Sequence, residues 1–192
     1  MTYTQSRKQQ AKILRVFRKV HRITGAFLFA FFFIIGVTGI ILGWKTHSNG
    51  LVLPETQKGT SYNLEEWKSL VELEQKAFHF LQDSISNELS LELDRIDVRK
   101  EKGIVKFVFE QHLWEVQLDG KTGALLQLDK RHSDFIENLH DGSVIDNLFG
   151  FSSKIFKVIY TSIMGLSLLL FTITGFWLWY GPKRMKRRKM EV

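Results

Sequence analysis

The sequence predicts a small membrane protein of α+β class: two transmembrane helices flanking one domain built from a helix and an antiparallel sheet. Three observations predict it. Two uncharged apolar runs, Ile23 to Trp44 and Val158 to Pro182, bracket the chain. Each is bordered by a dense block of Lys and Arg. Between them, a stretch with helical hydrophobic spacing gives way to four short stretches of alternating or β-branched character.

At a rise of about 1.5 Å per residue, helices of 22 and 25 residues reach about 33 and 37 Å, enough to cross a hydrocarbon core of about 30 Å with some tilt. Residues 23–44 and 158–182 are therefore the expected spans. A cleaved signal peptide has a shorter apolar stretch followed by a small-residue site. The first run instead ends in Gly43, Trp44, Lys45, Thr46 and His47, and it reads as an uncleaved anchor.

Charge orients the spans. Residues 1–22 carry seven basic residues and no acid, and residues 183–192 carry six basic residues and one Glu. The overall excess of +7 therefore sits at the two ends, and residues 45–157 are net −5. Short basic flanks are retained on the cytoplasmic side, so both termini are expected inside and the middle outside. No nucleic-acid-reading module accompanies the basic ends. The partner they imply is the lipid bilayer, not a nucleic acid.

With no cysteine, the chain has no disulfide framework, no thiolate nucleophile and no iron–sulfur centre. Neither a Gly-rich phosphate loop nor a His-Glu-x-x-His motif is present, and no serine has a placed base. A nicotinamide or flavin fingerprint is also missing, so any electrons must arrive from another carrier. Histidine is the main soft ligand left: His21, His47, His79, His112, His132 and His140.

Residues 45–134 are enough for one small domain. Ser61 to Ser84 has helical spacing through Leu64, Trp67, Leu70, Val71, Ala77, Phe78 and Leu81, with Ser61 or Asn63 as cap. Glu74 interrupts the stripe, with Leu73 as the nearest substitute. Strands are expected over Leu91 to Val98, Ile104 to Phe109, Trp114 to Leu118 and Ala124 to Leu128, the last two joined by a turn from Asp119 to Gly123. A helix on an antiparallel sheet is the two-layer solution, because each element has one apolar face to bury. Residues 135–157 form an amphipathic connector that dips toward the membrane through Leu139, Val144, Ile145, Leu148, Phe149 and Phe151.

The hairpin Trp114-Glu115-Val116-Gln117-Leu118-Asp119-Gly120-Lys121-Thr122-Gly123-Ala124-Leu125-Leu126 resembles the closing hairpin of a PepSY domain. Gly123 can supply a positive φ in that turn, and Asp119 can bond the loop backbone. Four further segments accompany it: Val20-His21-Arg22-Ile23-Thr24-Gly25, Thr38-Gly39 with Leu42, Asn138-Leu139-His140-Asp141-Gly142, and Thr174-Gly175-Phe176-Trp177-Leu178-Trp179. Together they resemble the PepSY-associated transmembrane family over about residues 15 to 182. The resemblance implies a bacterial inner-membrane protein with a PepSY-like domain between its spans. Its larger relatives are linked to reduction of ferric siderophores and carry haem between transmembrane helices. Those relatives generally have four helices. Two helices here imply a homodimer or a partner membrane subunit if a four-helix bundle is to form.

The segments around Thr38-Gly39 and Thr174-Gly175 echo one another on helices of opposite direction, so one packing device recurs near each membrane face. Gly39 and Gly43 form a Gly-x-x-x-Gly pair, continued backward by Gly36 and Gly25. At about 100° per residue, Gly25, Gly36 and Gly43 share a narrow stripe, and Gly39 repeats the angular position of His21 after about five turns. A haem needs one or two imidazole ligands, apolar walls and small residues where its edge meets backbone. Haem b is the expected cofactor, with His21 and His140 as iron ligands, and His47, Gly25, Gly36, Gly39 and Arg22 as further cofactor-binding residues.

Each assignment has a plainer counterpart: helix packing for the glycines, lipid-phosphate contact for His21 beside its Lys and Arg neighbours, and a loop position for His140. His21 and His47 are about 39 Å apart along a helix axis, too far for one haem. Two sites are expected, each histidine meeting its own copy across a twofold axis, with His47 as the alternative mate of His140. His79, His112 and His132 read as structural or solvated, and Trp44, Trp177 and Trp179 as interfacial belt residues. Two functions follow. One is a membrane electron carrier or ferric reductase acting on an external ferric chelate. The other is a non-catalytic, membrane-tethered PepSY binding or regulatory module.

Overall fold

The computed structural model describes residues 3–151 and 153–190. Among these residues, five α-helices and four strands follow in the order α1 (Tyr3–Gly43), α2 (Leu70–Ser84), β1 (Leu93–Arg99), β2 (Ile104–Phe109), β3 (Trp114–Asp119), β4 (Leu125–Lys130), α3 (His132–Asp141), α4 (Ser143–Phe149) and α5 (Ile155–Met190). The chain forms two units, one made of the residues up to Thr38 and from Leu139 onward, the other of Gly39–Asn138.

The first unit is a helix pair. With 41 and 36 residues, α1 and α5 measure about 61 and 54 Å, each longer than a hydrocarbon core. Within them Lys8–Gly43 and Ile155–Arg187 are long and apolar enough to cross a membrane. The helices run antiparallel. Leu14 packs on Gly181, where an added Cβ would come within 2.6 Å of its Cδ2. Phe17 meets Trp177 with ring centroids 6.3 Å apart, and Phe31 meets Tyr160 at 6.3 Å. On α1 the seam runs Leu14, Phe17, His21, Gly25, Leu28, Phe32, in steps of three and four as interlocking helices require. Pro182 lies inside α5. The helix continues through it, aided by Gly181, whose missing Cβ removes the usual clash with the following proline ring.

A buried carboxylate starts α5. Asp146 on α4 accepts from the backbone N–H groups of Phe156 (3.0 Å) and Lys157 (2.7 Å), satisfying two donors that have no partner within the helix.

The second unit is a four-stranded antiparallel meander, β1-β2-β3-β4. Val105 pairs with Leu118, and Phe107 with Val116; Val116 pairs in turn with Leu128. Alternation puts Val105, Phe107, Phe109, Val116 and Leu118 on one face, packed against Leu73, Ala77 and Leu81 of α2. The helix starts later than its periodicity suggests. Leu64–Glu66 form a separate 3-10 turn capped by Asn63, and Ser69 caps α2 by accepting from the N–H of Glu72. Leu73 is the true core residue, while Leu70 and Val71 are exposed, because the break at Trp67 resets the phase of the stripe. Trp67 leaves the helix altogether, donates from its indole to the Ser61 carbonyl (2.9 Å) and covers Gly120.

The opposite face of the sheet is also covered, which makes three layers where two are expected. An extended segment before α2 crosses it. Gln57 donates its backbone N–H to Gln117 and its side-chain amide to Gln127, both at 2.9 Å, and Gln117 donates to the Glu55 carbonyl (2.9 Å). Thr60 donates its N–H to Asp119 (2.7 Å). Gly59 passes so close to Gly103 that an added Cβ would sit 2.0 Å from the Gly103 carbonyl oxygen. Such a segment has no hydrophobic period, and its hydrogen bonds do what burial does elsewhere.

Candidate functional site

Two histidines of this unit, His21 on α1 and His140 on α3, are each bonded to a threonine of a Thr-Gly repeat on the helix pair. His21 Nδ1 lies 2.9 Å from Thr174 Oγ1, and His140 Nδ1 lies 2.8 Å from Thr38 Oγ1. Thr38 and Thr174 are 5% and 3% exposed, which sets them apart from the largely open helix surfaces around them. From sequence alone the repeats read as a packing device; the structure makes their hydroxyls hydrogen-bonding partners as well.

The hydroxyl of Thr174 points at carbonyls of its own helix, Leu170 (2.8 Å) and Phe171 (3.1 Å). That of Thr38 does the same with Ile34 (2.7 Å) and Ile35 (3.2 Å). A threonine has one hydroxyl hydrogen, and both are spent on carbonyls. Each Thr oxygen is therefore an acceptor toward its histidine. His21 and His140 must be Nδ1–H donors, and in the neutral ring this leaves the lone pair on Nε2, the state in which imidazole binds a metal.

His112 shows the contrasting arrangement. Its Nε2 faces the Ser90 carbonyl at 2.9 Å and must donate, while its Nδ1 accepts from the Trp114 N–H at 3.4 Å. Both nitrogens are used up, and His112 is a structural residue of the β2–β3 turn. His79 sits on the outer side of α2 beside Phe80. His132 opens α3 and lines a polar depression with Glu55, Gln57 and Asp129.

The surroundings of the two candidate ligands differ. The His21 ring stacks on Phe171, centroids 3.8 Å apart at 25°, and lies against Gly175, whose added Cβ would come 3.3 Å from its Cε1. Gly25 is covered by the same Phe171. Arg22 is exposed next to this contact. His140 lines a mostly apolar cavity of about 210 Å³ with Phe32, Ile35, Tyr160, Met164 and Leu168. At its mouth burial pushes the Asp141 carboxyl up, but hydrogen bonds from Lys157 and Ser143 outweigh this and hold it below its usual range. Lys157 Nζ is 2.5 Å from Asp141.

The glycine stripe divides. Gly25 belongs to the seam, whereas Gly36 and Gly43 border open space, with nothing within 4 Å of an added Cβ. Gly39 is half-buried beside Thr38. The buried seam residue at that level is Thr38, 17 positions from His21, because the three-and-four spacing drifts from an ideal straight helix. His47 is exposed on the turn after α1, its Nδ1 3.1 Å from Thr46 Oγ1. Beyond the cavity, Leu148, Phe149 and Phe151 are exposed, an apolar tip of the kind that lies in a headgroup layer.

A family model described as PepSY-associated TM region matches residues 18–191. The chain belongs to this family. No curated protein and no solved structure matches it. The family and the two candidate spans make this PepSY-associated chain a membrane protein. Its Thr-Gly repeats and both Thr-bonded histidines fall inside the matched residues. Among the described residues, no group of three or more His, Cys, Asp or Glu converges as a metal site.

The donor set nevertheless suits a haem, which takes one or two imidazoles and apolar walls. The cavity beside His140 is smaller than the roughly 300–1,000 Å³ of an enclosing ligand pocket. One chain thus offers an imidazole and an apolar wall, in a space too small to enclose a macrocycle.

Proposed function

We propose that this PepSY-associated protein is a b-type haem protein of the bacterial inner membrane. It moves electrons from the cytoplasmic side to an external acceptor, for which a ferric siderophore or other ferric chelate is the chemical class. A second copy, or a partner membrane subunit, completes a four-helix bundle around each site. The observation that carries this reading is that threonines at two levels of the α1–α5 pair each hold an imidazole, Thr174 that of His21 and Thr38 that of His140 on α3. Along α1, His21 and Thr38 are about 26 Å apart, so the two levels cannot share one macrocycle.

A bound haem supplies reversible one-electron transfer at its iron. The rest comes from the chain. His21 and His140 would hold the iron through Nε2, Phe171 and the cavity wall would exclude water, and Gly36 would leave room for a flat edge. Arg22 at the basic end can neutralise a propionate through charge-assisted hydrogen bonds. The basic termini support an orientation with both ends in the cytoplasm. Polar side chains at membrane depth are costly unless paired and tend to mark function; both histidines are paired.

A second reading draws on the sheet unit, where Phe78, His79, Gln82 and Leu91 line a cleft of about 510 Å³, within the size range of ligand pockets. That cleft favours a tethered recognition module. One experiment separates the two. The protein, expressed with haem supplementation and purified in mild detergent, is expected to show visible bands that sharpen and shift with dithionite. His21→Ala and His140→Ala are each expected to remove one population. A colourless preparation sinks the electron carrier and favours the module; a single haem per assembly removes the transmembrane route.

A further inference from the structure

We propose that Thr174 and Thr38 are positioning residues that hold His21 and His140 as Nδ1–H tautomers, so that Nε2 of each is the nitrogen presented to iron. The proposal deepens the haem reading and rests on it for the identity of the metal. The tautomer argument stands on the hydrogen bonds alone. Each hydroxyl hydrogen is engaged by helix carbonyls at 2.7–2.8 Å, and each oxygen then accepts from Nδ1 at 2.8–2.9 Å. The threonine cannot rotate to donate to the ring without giving up its carbonyl inside a membrane-spanning helix, where no water replaces it.

A hydrogen bond on the far ring nitrogen fixes the orientation of a ligating imidazole and raises its basicity. A more basic ligand favours ferric over ferrous iron, so the threonine lowers the reduction potential of its site. Because each histidine has its own threonine, the two sites are tuned independently.

The test uses the full-length protein in detergent, with 15N-labelled histidine, as wild type and as Thr174→Val, Thr38→Val and the two serine variants. Valine keeps the shape and removes the acceptor; serine keeps the hydroxyl. In haem-free protein, each valine variant is expected to lose the Nδ1–H ring signal of one histidine only. In haem-loaded protein, it is expected to weaken retention at one site by about 10–100-fold and to raise that site's midpoint potential, with serine restoring both. Haem-loaded valine variants with wild-type ring signals, retention and potentials overturn the positioning role and leave the haem reading standing. A protein that takes up no haem yet loses one Nδ1–H signal in each valine variant overturns the haem reading and leaves the tautomer assignment standing.

Discussion

Lys106 Nζ and Glu115 Oε1 lie 3.1 Å apart on the strap-covered face of the sheet, with side chains 4% and 0% exposed. Arg131 also reaches Glu115, and Gln117 donates to it at 2.7 Å. One carboxylate thus answers a buried and a half-buried cation. Glu115→Ala leaves Lys106 and Arg131 without that counter-charge and is expected to cost about 3–5 kcal/mol, read as a lowered midpoint in thermal melts. Lys106→Met with Glu115→Leu is expected to recover part of the loss, because Arg131 keeps Asp134 at 3.0 Å. If the double variant is no more stable than Glu115→Ala, the pair is not the source of the loss.

Asp119 gives the domain a defined acid limit. Burial pushes its carboxyl up, but the N–H groups of Thr122, Thr60 and Lys121 and the Thr60 hydroxyl outweigh this and hold it below the ordinary range. Asp134 is likewise held down, by Arg131, Ser133 and Arg95 against burial. The unfolded carboxyl takes up its proton near pH 3.9 and the folded one only at lower pH. The unfolded state therefore binds more protons in that window, and stability falls as pH drops below about 4 toward the folded values. Asp119→Asn is expected to flatten this acid slope in pH-dependent melts while costing about 1–3 kcal/mol at neutral pH.

Asp146 is a remote cap for α5. Asp146→Ala is expected to cost about 1–2 kcal/mol and to speed hydrogen exchange at the Phe156 and Lys157 amides. Amides elsewhere in α5 are expected to exchange at wild-type rates, and uniform acceleration along the helix contradicts a capping role.

Gly120 has no room for a side chain. An added Cβ would lie 2.3 Å from Cδ2 of Trp67, so Gly120→Ala must displace the indole, at a cost of about 1–3 kcal/mol. Trp67 emission is expected to shift to the red as its hydrogen bond to Ser61 opens. An unshifted spectrum with unchanged stability means the ring yields freely.

Elements governed by a clean period were legible in the sequence. The Ile104–Phe109 strand, the turn glycine Gly123 at φ +69° and Asp119 accepting from Lys121 and Thr122 are all local patterns. The start of α2 was not, because Trp67 belongs to a packing contact with Gly120 that lies 53 positions away in the chain. The Thr-Gly echo was visible as a repeat. Its pairing with His21 and His140 was not, since those contacts span 153 and 102 residues and depend on the crossing of two helices. The burial of Lys106 and Glu115 was not legible either, since it depends on the extended segment before α2 that crosses their face of the sheet.

That strap fixes the order in which the domain can assemble. Gln57 leaves the ribosome early, yet the amide it must bond belongs to Gln127, 70 residues later. Until then its side-chain amide has only solvent, and closing so long a loop carries an entropic cost that local pairing does not. The meander can zip up hairpin by hairpin, but its polar side stays wet until synthesis has passed β4. The segment that crosses this side thus makes bonds that need strands emerging 60–70 residues after it.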